Sequence, residues 1–227
     1  MLIQSIKKYI NGLLNCCIIP KCLLKITILK KRFTNQPINL IIGSGNIYFP
    51  DWLSTDKSVL DITNSDEWAF YFKKDSIDKI LAEHVFEHLS EVDRTNALKN
   101  IFIFLKPAGF LRIAVPDGYF PDQDYINQVK PGGYGSGADD HKFLYTCDVL
   151  GRIVADFGFK VSFLEYFDVE GKFHYKEWDQ KQGMIIRSVR FDERNQSGEI
   201  RYTSLILDAY KRVNITSLGK KINIIQD

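Results

Sequence analysis

The order of apolar and polar residues changes period several times after residue 37. Short apolar runs predict strands, whereas residues 89–106 repeat their apolar positions at helical spacing, with Ser90 and Asp93 placed as in a capping box. A second helix is predicted at 147–159. The predicted strands are 38–43, 52–56, 76–84, 160–169 and 201–210, and residues 105–117 are predicted to hold a helix end, a turn with proline and a further strand. Strands alternating with helices predict an α/β fold, a Rossmann-like doubly wound and mostly parallel sheet with helices on both faces.

Composition narrows the class of protein without naming a function. The chain has 227 residues, of which 45% are hydrophobic and 26% charged, as expected for one globular domain with a sizeable core. Its net charge of +2 gives no sign of nucleic-acid binding. The four cysteines form no C-x-x-C pair, so a disulfide scaffold or a zinc ribbon is disfavoured and a cytoplasmic protein is expected.

The N-terminal segment differs from the rest of the chain. Residues 1–36 mix apolar residues with Lys and Arg, and Pro20, Lys21 and Lys25 interrupt the apolar runs. None of these runs is long enough to span a bilayer, and no signal-peptide cleavage site is clear. Two interpretations stay open: a helical extension packed on its own domain, or a weak contact of residues 1–35 with the anionic inner face of a membrane.

A glycine loop with a nearby acid indicates a ligand crevice. Gly43 and Gly45 follow the first strand, and Asp56 ends the second, where it could accept the hydroxyls of a ribose. A dinucleotide fingerprint would need a third glycine where Tyr48 stands, and residues 46–52 are too few for a crossover helix. A pyrophosphate would therefore lack its helix N-terminus, which favours a cofactor without phosphates, such as S-adenosylmethionine.

The string "LAEHVFEHL" (81–89) has the H-x-x-E-H spacing of some zinc metalloproteases. That chemistry needs His84 and His88 on one face of one helix. Because the preceding run is a predicted strand, the two histidines are expected on different elements, diverging from each other. We therefore predict no metal site, with Glu83 and His84 facing the chemistry while Glu87 and His88 begin the following helix.

The motifs together resemble the class I S-adenosylmethionine-dependent methyltransferases. The resemblance rests on "IIGSGN", Asp56, "LDIT", "AEHVFEHL", "FLKPAGFLRIAVPD" and a later "FGF", and it covers about residues 37–210. The stretches "HKFLYTCDVLGRIVADFGFKVSFLEYFD" and "RSVRFDERN" look like a bacterial branch of predicted methyltransferases often found among surface-polysaccharide genes. The resemblance implies a seven-stranded sheet, a shortened first crossover helix and S-adenosylmethionine as cofactor.

The resemblance also implies roles for individual residues. Gly43, Gly45 and Asn46 would line the methionine part of the cofactor. Asp56 would bind the ribose, and Asp61 and Ile62 would lie by the adenine. Glu83 and His84 would lie near the sulfonium.

Histidine is the natural general base for removing a hydroxyl proton, because its ordinary pKa is near neutral. His141, in the loop "GGYGSGADDHKF", is the first catalytic candidate, with Asp139 or Asp140 orienting it, and His84 is the second. The alternative is that Asp140 caps a helix and His141 lies on the surface. His88 and His174 rank below both.

The substrate residues are predicted on two loops. They are Tyr134, Asp140, Arg187 and Arg190. The arginines belong to "RSVRFDERN", which could bind a sugar hydroxyl, a carboxylate or a phosphate. An internally paired surface hairpin is an equally open interpretation of the same string.

The sequence thus predicts an N-terminal extension (1–36), a methyltransferase domain (37–210) with a substrate loop (117–145) and an insertion (171–200), and a tail (211–227). The expected function is O-methylation of a small molecule or glycan, such as a surface polysaccharide or its precursor. Open alternatives are an inactive methyltransferase-like binding or scaffold protein, and a zinc hydrolase built on H-x-x-E-H. A nicotinamide oxidoreductase is disfavoured by the missing third glycine.

Overall fold

The computed structural model describes residues 18–196 and 198–212, and its elements alternate as predicted. The strands are β1 (Asn39–Ile42), β2 (Trp52–Thr55), β3 (Ile77–Glu83), β4 (Leu105–Pro116), β5 (Phe159–Phe167), β6 (Phe173–Tyr175) and β7 (Ser204–Lys211). The α-helices are α1 (Ile18–Phe33), α2 (Ser65–Tyr71), α3 (Glu91–Phe104), α4 (Gln123–Val129) and α5 (Cys147–Asp156). Short 3-10 helices cover Phe86–His88, Ala138–Asp140, Gln180–Gln182 and Glu193–Asn195.

All seven strands form one sheet in the order β2-β1-β3-β4-β7-β5-β6. The first four strands pair in parallel, and β7 lies antiparallel between β4 and β5. Strand β6 pairs antiparallel with β5 at the edge. The predicted Rossmann-like, mostly parallel sheet is confirmed.

One face of the sheet packs on α-helices. Alternate strand residues such as Leu111 and Ile113 of β4 point to this face because successive side chains of a strand alternate in direction. They share one buried cluster with Trp68 of α2, Leu98 of α3 and Leu150 of α5. Each fully buried leucine contributes on the order of 2 kcal/mol to folding, so this face carries the larger part of the core.

The other face is covered mainly by the segment between β6 and β7, and its described core contains no α-helix residue, so the prediction of helices on both faces is wrong for this face. Ile41, Leu81 and Ala114 of the sheet pack there against Trp178 and Ile185. Two of the short 3-10 helices belong to this segment. No helix forms between residues 43 and 51, as predicted, because that connection is too short for a helical crossover.

Helix α1 packs on its own domain. Leu24 and Ile28 are buried in the main core, and the Lys21 ammonium pairs with Glu67 of α2 at 2.7 Å. The opposite side of the helix exposes apolar residues, and the first acidic residue of the chain is Asp51. These exposed residues are Leu23, Ile26, Leu29 and Phe33. The contact of this basic segment with an anionic membrane surface stays a prediction.

The predicted extension and tail are described only in part. Residues 1–17 and 213–227 lie outside the described residues. Among the helices that the structure describes, none combines the length and the apolar character that crossing a bilayer requires. The division of the chain into extension, domain and tail stays a prediction.

Candidate active site

The loop between β1 and β2 has the geometry of a ligand-binding turn. Gly43 and Gly45 have positive φ angles of 62° and 54°. A Cβ on Gly43 would lie 2.5 Å from Cγ2 of Val85, whereas a Cβ on Gly45 would meet no described atom within 4 Å. Glycine is therefore required at 43 by packing and conformation, and the space above Gly45 lets a ligand approach the backbone. Asn46 is exposed beside it.

Asp56 follows β2 directly, and its carboxylate faces this loop. Oδ1 accepts a hydrogen bond from the N–H of Gly45 at 3.0 Å, and Oδ2 accepts a longer one from the hydroxyl of Ser44 at 3.5 Å. A carboxylate offers about four acceptor positions, so Asp56 keeps capacity for the two hydroxyls of a ribose. The glycine loop and the acid thus form one unit at the carboxyl ends of β1 and β2.

Asp61 and Ile62 lie in the turn before α2. One oxygen of Asp61 accepts from the N–H and the hydroxyl of Thr63, at 2.9 and 2.7 Å. The Ile62 carbonyl accepts from Trp68 and Asn100, both at 3.0 Å, and the Ile62 side chain lies in the core. In the described part of the chain, the other Asp61 oxygen and the Ile62 N–H have no partner. Their contact with an adenine stays a prediction.

Glu83, the last residue of β3, holds a distant segment in place. Its buried carboxylate accepts the N–H groups of Ile186 and Arg187 at 3.0 and 2.8 Å. Burial raises the pKa of Glu83, although these two hydrogen bonds act in the opposite direction. The structure therefore gives Glu83 a positioning role, because it fixes the backbone from which the Arg187 side chain extends. A direct contact of Glu83 with a cofactor stays a prediction.

His84 follows β3 in an unusual backbone conformation, with φ at 53°. Its N–H donates to the carbonyl of Ala114 at 2.8 Å, which keeps it beside the end of β4. Ring atom Nε2 lies 3.0 Å from the hydroxyl of Ser204, and Nδ1 lies 3.2 Å from Oε1 of Glu87. Burial lowers the pKa of His84 well below its ordinary value, so the ring is neutral at pH 7.

The rest of the H-x-x-E-H string does not begin the long helix. Glu87 and His88 belong to the 3-10 helix, and α3 begins only at Glu91, because Leu89 is extended and Ser90 is the N-cap. The prediction that Glu87 and His88 begin the helix is therefore wrong. His84 and His88 do lie on different elements, as predicted. The two elements nevertheless stay in contact, because the side chain of Glu87, which precedes His88, lies against His84.

Glu87 is the residue that sequence reasoning undervalued. Its side chain is fully buried, and neither carboxylate oxygen has a hydrogen-bond partner in the described structure. Burial raises the pKa of Glu87 to about 8. One potential ligand atom from each of Glu87, His88 and His141 lies within 4.8 Å of the other two.

His141 is buried rather than on the surface, with 8% of the residue exposed. Its Nδ1 lies 2.6 Å from the carbonyl of Val129, so Nδ1 carries the proton and Nε2 keeps its lone pair. The N–H of Lys142 donates to the Glu87 carbonyl at 2.7 Å. This bond brings His141 beside His88, with ring centroids 4.7 Å apart.

Asp140 was expected to orient His141 or to cap a helix, and the structure shows neither role. Its carboxylate pairs with Lys142 at 2.9 Å and lies 3.5 Å from Nδ1 of His88. It ends a 3-10 helix, so it is not at an N-cap. The backbone carbonyl of Val129 orients His141 instead.

The two predicted catalytic histidines line one cavity of about 300 Å³. It lies at the carboxyl ends of β3 and β4, and Arg187 lines it as well. Arg194 and Tyr202, which were not predicted, complete one wall with the guanidinium 3.4 Å from the ring centroid. The only sequence signal for Arg194 was its place in "RSVRFDERN", and Tyr202 gave none.

Three of the four predicted substrate residues, Tyr134, Asp140 and Arg190, are not among the residues that line this cavity. The Arg190 guanidinium stacks over Trp178 and Phe191 and pairs with Glu177 at 2.9 Å. Tyr134 is exposed and its hydroxyl donates to Asp124. For Arg190, the interpretation as an internally paired segment fits the described contacts better than substrate binding.

A larger cavity of about 560 Å³ opens toward the amino ends of β3 and β4. Its walls include Lys79, Lys106, Arg112 and Asp208. None of the predicted site residues lines it, and it lies away from the glycine loop. The chemistry that the sequence indicates therefore belongs to the smaller cavity.

Comparison with known proteins gives distant matches. No protein-family model matches the chain. It is 28% identical over 110 residues to uncharacterized methyltransferases of Geobacillus thermodenitrificans (strain NG80-2) and Geobacillus kaustophilus (strain HTA426), covering 46% of this chain and 50% of each relative. The chain thus spans about half the length of these curated relatives.

Solved structures with similar folds are also methyltransferases. A SAM-dependent methyltransferase from Archaeoglobus fulgidus is 16% identical, with 83% of this chain and 94% of that chain covered and a TM-score of 0.45. A SAM-dependent methyltransferase from Methanosarcina mazei is 14% identical, with 78% and 92% covered and a TM-score of 0.43.

Proposed function

We propose that the protein is an S-adenosylmethionine-dependent methyltransferase that methylates an oxygen of a small molecule or glycan. The observation that carries this proposal is the joining of two parts at one edge of the sheet. The Gly43–Asp56 unit offers a cofactor crevice, and the cavity lined by His84 and His141 lies next to it. Val85, which follows His84, packs directly on Gly43 and so connects the two parts.

The residues of the crevice fit this cofactor. Asp56 keeps acceptor positions for a ribose, and the open space above Gly45 admits the methionine part. No helix N-terminus stands ready for a pyrophosphate in residues 43–51. When bound, S-adenosylmethionine supplies the electrophilic methyl carbon. The protein itself must align the acceptor and help to remove its proton.

His141 is the better placed general base of the two histidines. Its Nδ1–H is held by the Val129 carbonyl, which leaves the Nε2 lone pair available to an acceptor hydroxyl in the cavity. His84 has both nitrogens engaged, with Ser204 and with Glu87. We therefore assign proton removal to His141 and give His84 the task of shaping the cavity wall.

Arg187 supports a polar or acidic acceptor. Its backbone is fixed by Glu83, and its side chain is 44% exposed, with its closest carboxylate 3.9 Å away. The neighbouring Arg194 is already paired with Asp192 at 2.6 Å. Arg187 is thus free to bind a carboxylate, a phosphate or sugar hydroxyls. Both a small acidic metabolite and a surface glycan precursor fit this chemistry.

Calorimetry tests the cofactor part of the proposal. The wild-type protein is titrated with S-adenosylmethionine and with S-adenosylhomocysteine, beside Asp56→Ala and the control Asp66→Ala, an exposed acid in the first turn of α2. We expect Asp56→Ala to weaken binding by about ten- to a hundredfold, since hydrogen bonds to a charged group are worth about 1.5–3 kcal/mol. Asp66→Ala should bind as the wild type does.

Three outcomes would count against the proposal. Absence of binding in the wild type, or equal affinity in Asp56→Ala, would remove the cofactor assignment. Cofactor binding without transfer to any offered acceptor would favour an inactive binding or scaffold protein.

A further inference from the structure

We propose that Glu87, His88 and His141 form a binding site for one divalent first-row transition-metal ion, such as Zn²⁺ or Mn²⁺. The site lies beside the cavity, and its existence does not depend on the proposed methyl transfer. One ligand atom from each residue lies within 4.8 Å of the others. Ligands bound to a common tetrahedral ion at about 2.1 Å stand about 3.4 Å apart, so side-chain shifts of roughly 1 Å would close the site.

The Glu87 carboxylate is the first independent sign of a missing ligand. It is fully buried, and neither oxygen accepts a hydrogen bond from the described residues. Leaving a buried polar group unpartnered is costly, and nearly all such groups in proteins are satisfied. A cation bound between the carboxylate and the neighbouring imidazoles would provide the missing partner.

His84, which lies beside Glu87, does not donate a hydrogen bond to its carboxylate, because the proton of the His84 ring is on the other nitrogen. The Ser204 hydroxyl donates to the carbonyl of Arg187 at 2.8 Å. It is then left to accept from His84, so Nε2 of His84 carries the proton and Nδ1 carries a lone pair. That lone pair faces Oε1 of Glu87 at 3.2 Å. Two lone pairs at this distance require a proton or a metal ion nearby.

Both histidines of the site are held as metal-bound histidines usually are. Nδ1 of His141 donates to the carbonyl of Val129, and Nδ1 of His88 lies 3.5 Å from a carboxylate oxygen of Asp140. Such outer partners fix the ring and leave Nε2 for the metal. Nε2 is therefore the nitrogen that each ring offers to a metal ion.

The ligand types select the class of metal. Two imidazoles and one carboxylate suit zinc, manganese, iron or cobalt, whereas magnesium and calcium prefer oxygen ligands only. Three protein ligands leave at least one position open to water or substrate.

His141 belongs to the cavity wall as well as to the site. When an ion is bound, Nε2 of His141 is a metal ligand and no longer serves as the general base. In the proposed methyltransferase, which this role presupposes, the open position would then bind the acceptor oxygen and ease loss of its proton to water.

Metal titration of the full chain tests the site. Chelator-treated protein without S-adenosylmethionine is titrated with Co²⁺ by visible absorption and with Zn²⁺ against a fluorescent chelator, using Mg²⁺ as the comparison ion. We expect one equivalent of Co²⁺ or Zn²⁺ to bind and Mg²⁺ to compete poorly. Glu87→Gln and His141→Asn should each weaken binding by on the order of tenfold or more. His174→Asn, outside the site and paired with Asp168, should bind as the wild type.

Circular dichroism checks that each variant folds. If a variant of a buried ligand does not fold, His88→Gln replaces it, because the His88 side chain is 31% exposed. No stoichiometric binding by the wild type would overturn the metal site and would mean that a shared proton joins His84 to Glu87. Unchanged affinity in the ligand variants would also overturn it. Because cofactor titrations are run with chelator present, failure of the metal site and failure of the proposed function are separate results.

Discussion

Two buried clusters of ionisable side chains differ in how far their hydrogen bonds are completed. Under the segment that covers the second face, Arg112 donates to both oxygens of Asp208 at 2.7 and 2.9 Å and to the carbonyl of Gly183. At the carboxyl ends of β3 and β4, Glu87 has no described hydrogen-bond partner and His84 turns a lone pair toward it. Burial is nearly complete in both clusters, so burial alone does not separate structure from function.

The comparison shows what an incomplete cluster indicates. A charged pair whose two partners are hydrogen-bonded to each other has little left to offer a ligand, and its main role is to fix the fold. A buried acid without partners destabilises the protein unless a ligand completes it, and proteins keep such groups mainly at functional sites. The strained φ of His84 lies in the incomplete cluster as well.

The largest effect is expected from breaking the completed pair. Asp208→Asn leaves the Arg112 charge buried without its counter-charge, and such changes typically cost about 3–5 kcal/mol of unfolding free energy. Urea denaturation measures it. The control is Glu199→Gln, which affects an exposed pair with Arg201 and should change stability by less than about 1 kcal/mol. Equal losses in the two variants would mean that the completed pair does not hold this face.

Asp117 is a third buried acid, with fewer hydrogen bonds than Asp208 and more than Glu87. Its effect on stability should depend on pH. This fully buried acid accepts only the N–H groups of Phe167 and Tyr119, and burial raises its pKa to about 6. The folded state therefore binds the proton more tightly than the unfolded state does. Its stabilising contribution is complete below pH 4 and is lost as pH rises through 6, by about 3 kcal/mol at most.

The measurement for Asp117 is a series of urea denaturations from pH 4 to 7. Relative to Asp117→Asn, which cannot titrate, the wild type should lose stability over this range. Curves that run parallel for the two proteins would show that the Asp117 pKa is not raised.

The smallest effect is expected at Glu87. In metal-free protein, Glu87→Gln should change the unfolding free energy by no more than about 1 kcal/mol, because no hydrogen bond is lost and the new amide can donate to Nδ1 of His84. The same acid-to-amide change thus has a large effect on stability at Asp208 and a small one at Glu87. A loss at Glu87 as large as that at Asp208 would erase the distinction between them.

Local features of this fold were readable from the sequence. The apolar runs of β1, β3 and β4 predicted a buried parallel sheet, and the missing crossover helix followed from the length of the connection alone. Helix α2 was missed because its seven residues bury only Trp68 and Tyr71, too few to show a period. Strand β6 has three residues and gave no signal either.

The site was readable only in part, because its decisive contacts are distant in sequence. His84 meets Ser204 across 120 positions, and no local spacing encodes that pairing. His141 is oriented by a backbone carbonyl, which any residue at 129 would supply. The H-x-x-E-H string was correctly excluded as a single helix, yet the left-handed turn at His84 and a loop from elsewhere brought Glu87, His88 and His141 together.

The position of β7 has a consequence for how the protein is made. This strand comes last in the described chain, yet it lies between β4 and β5 in the sheet. While the ribosome is still synthesising residues before 204, the glycine loop and Asp56 already exist, but β4 and β5 lack their shared neighbour. Ser204 and Arg187 arrive with the same late segment. The cavity is therefore among the last parts of the described fold that can assemble, because residues of this late segment form part of its wall.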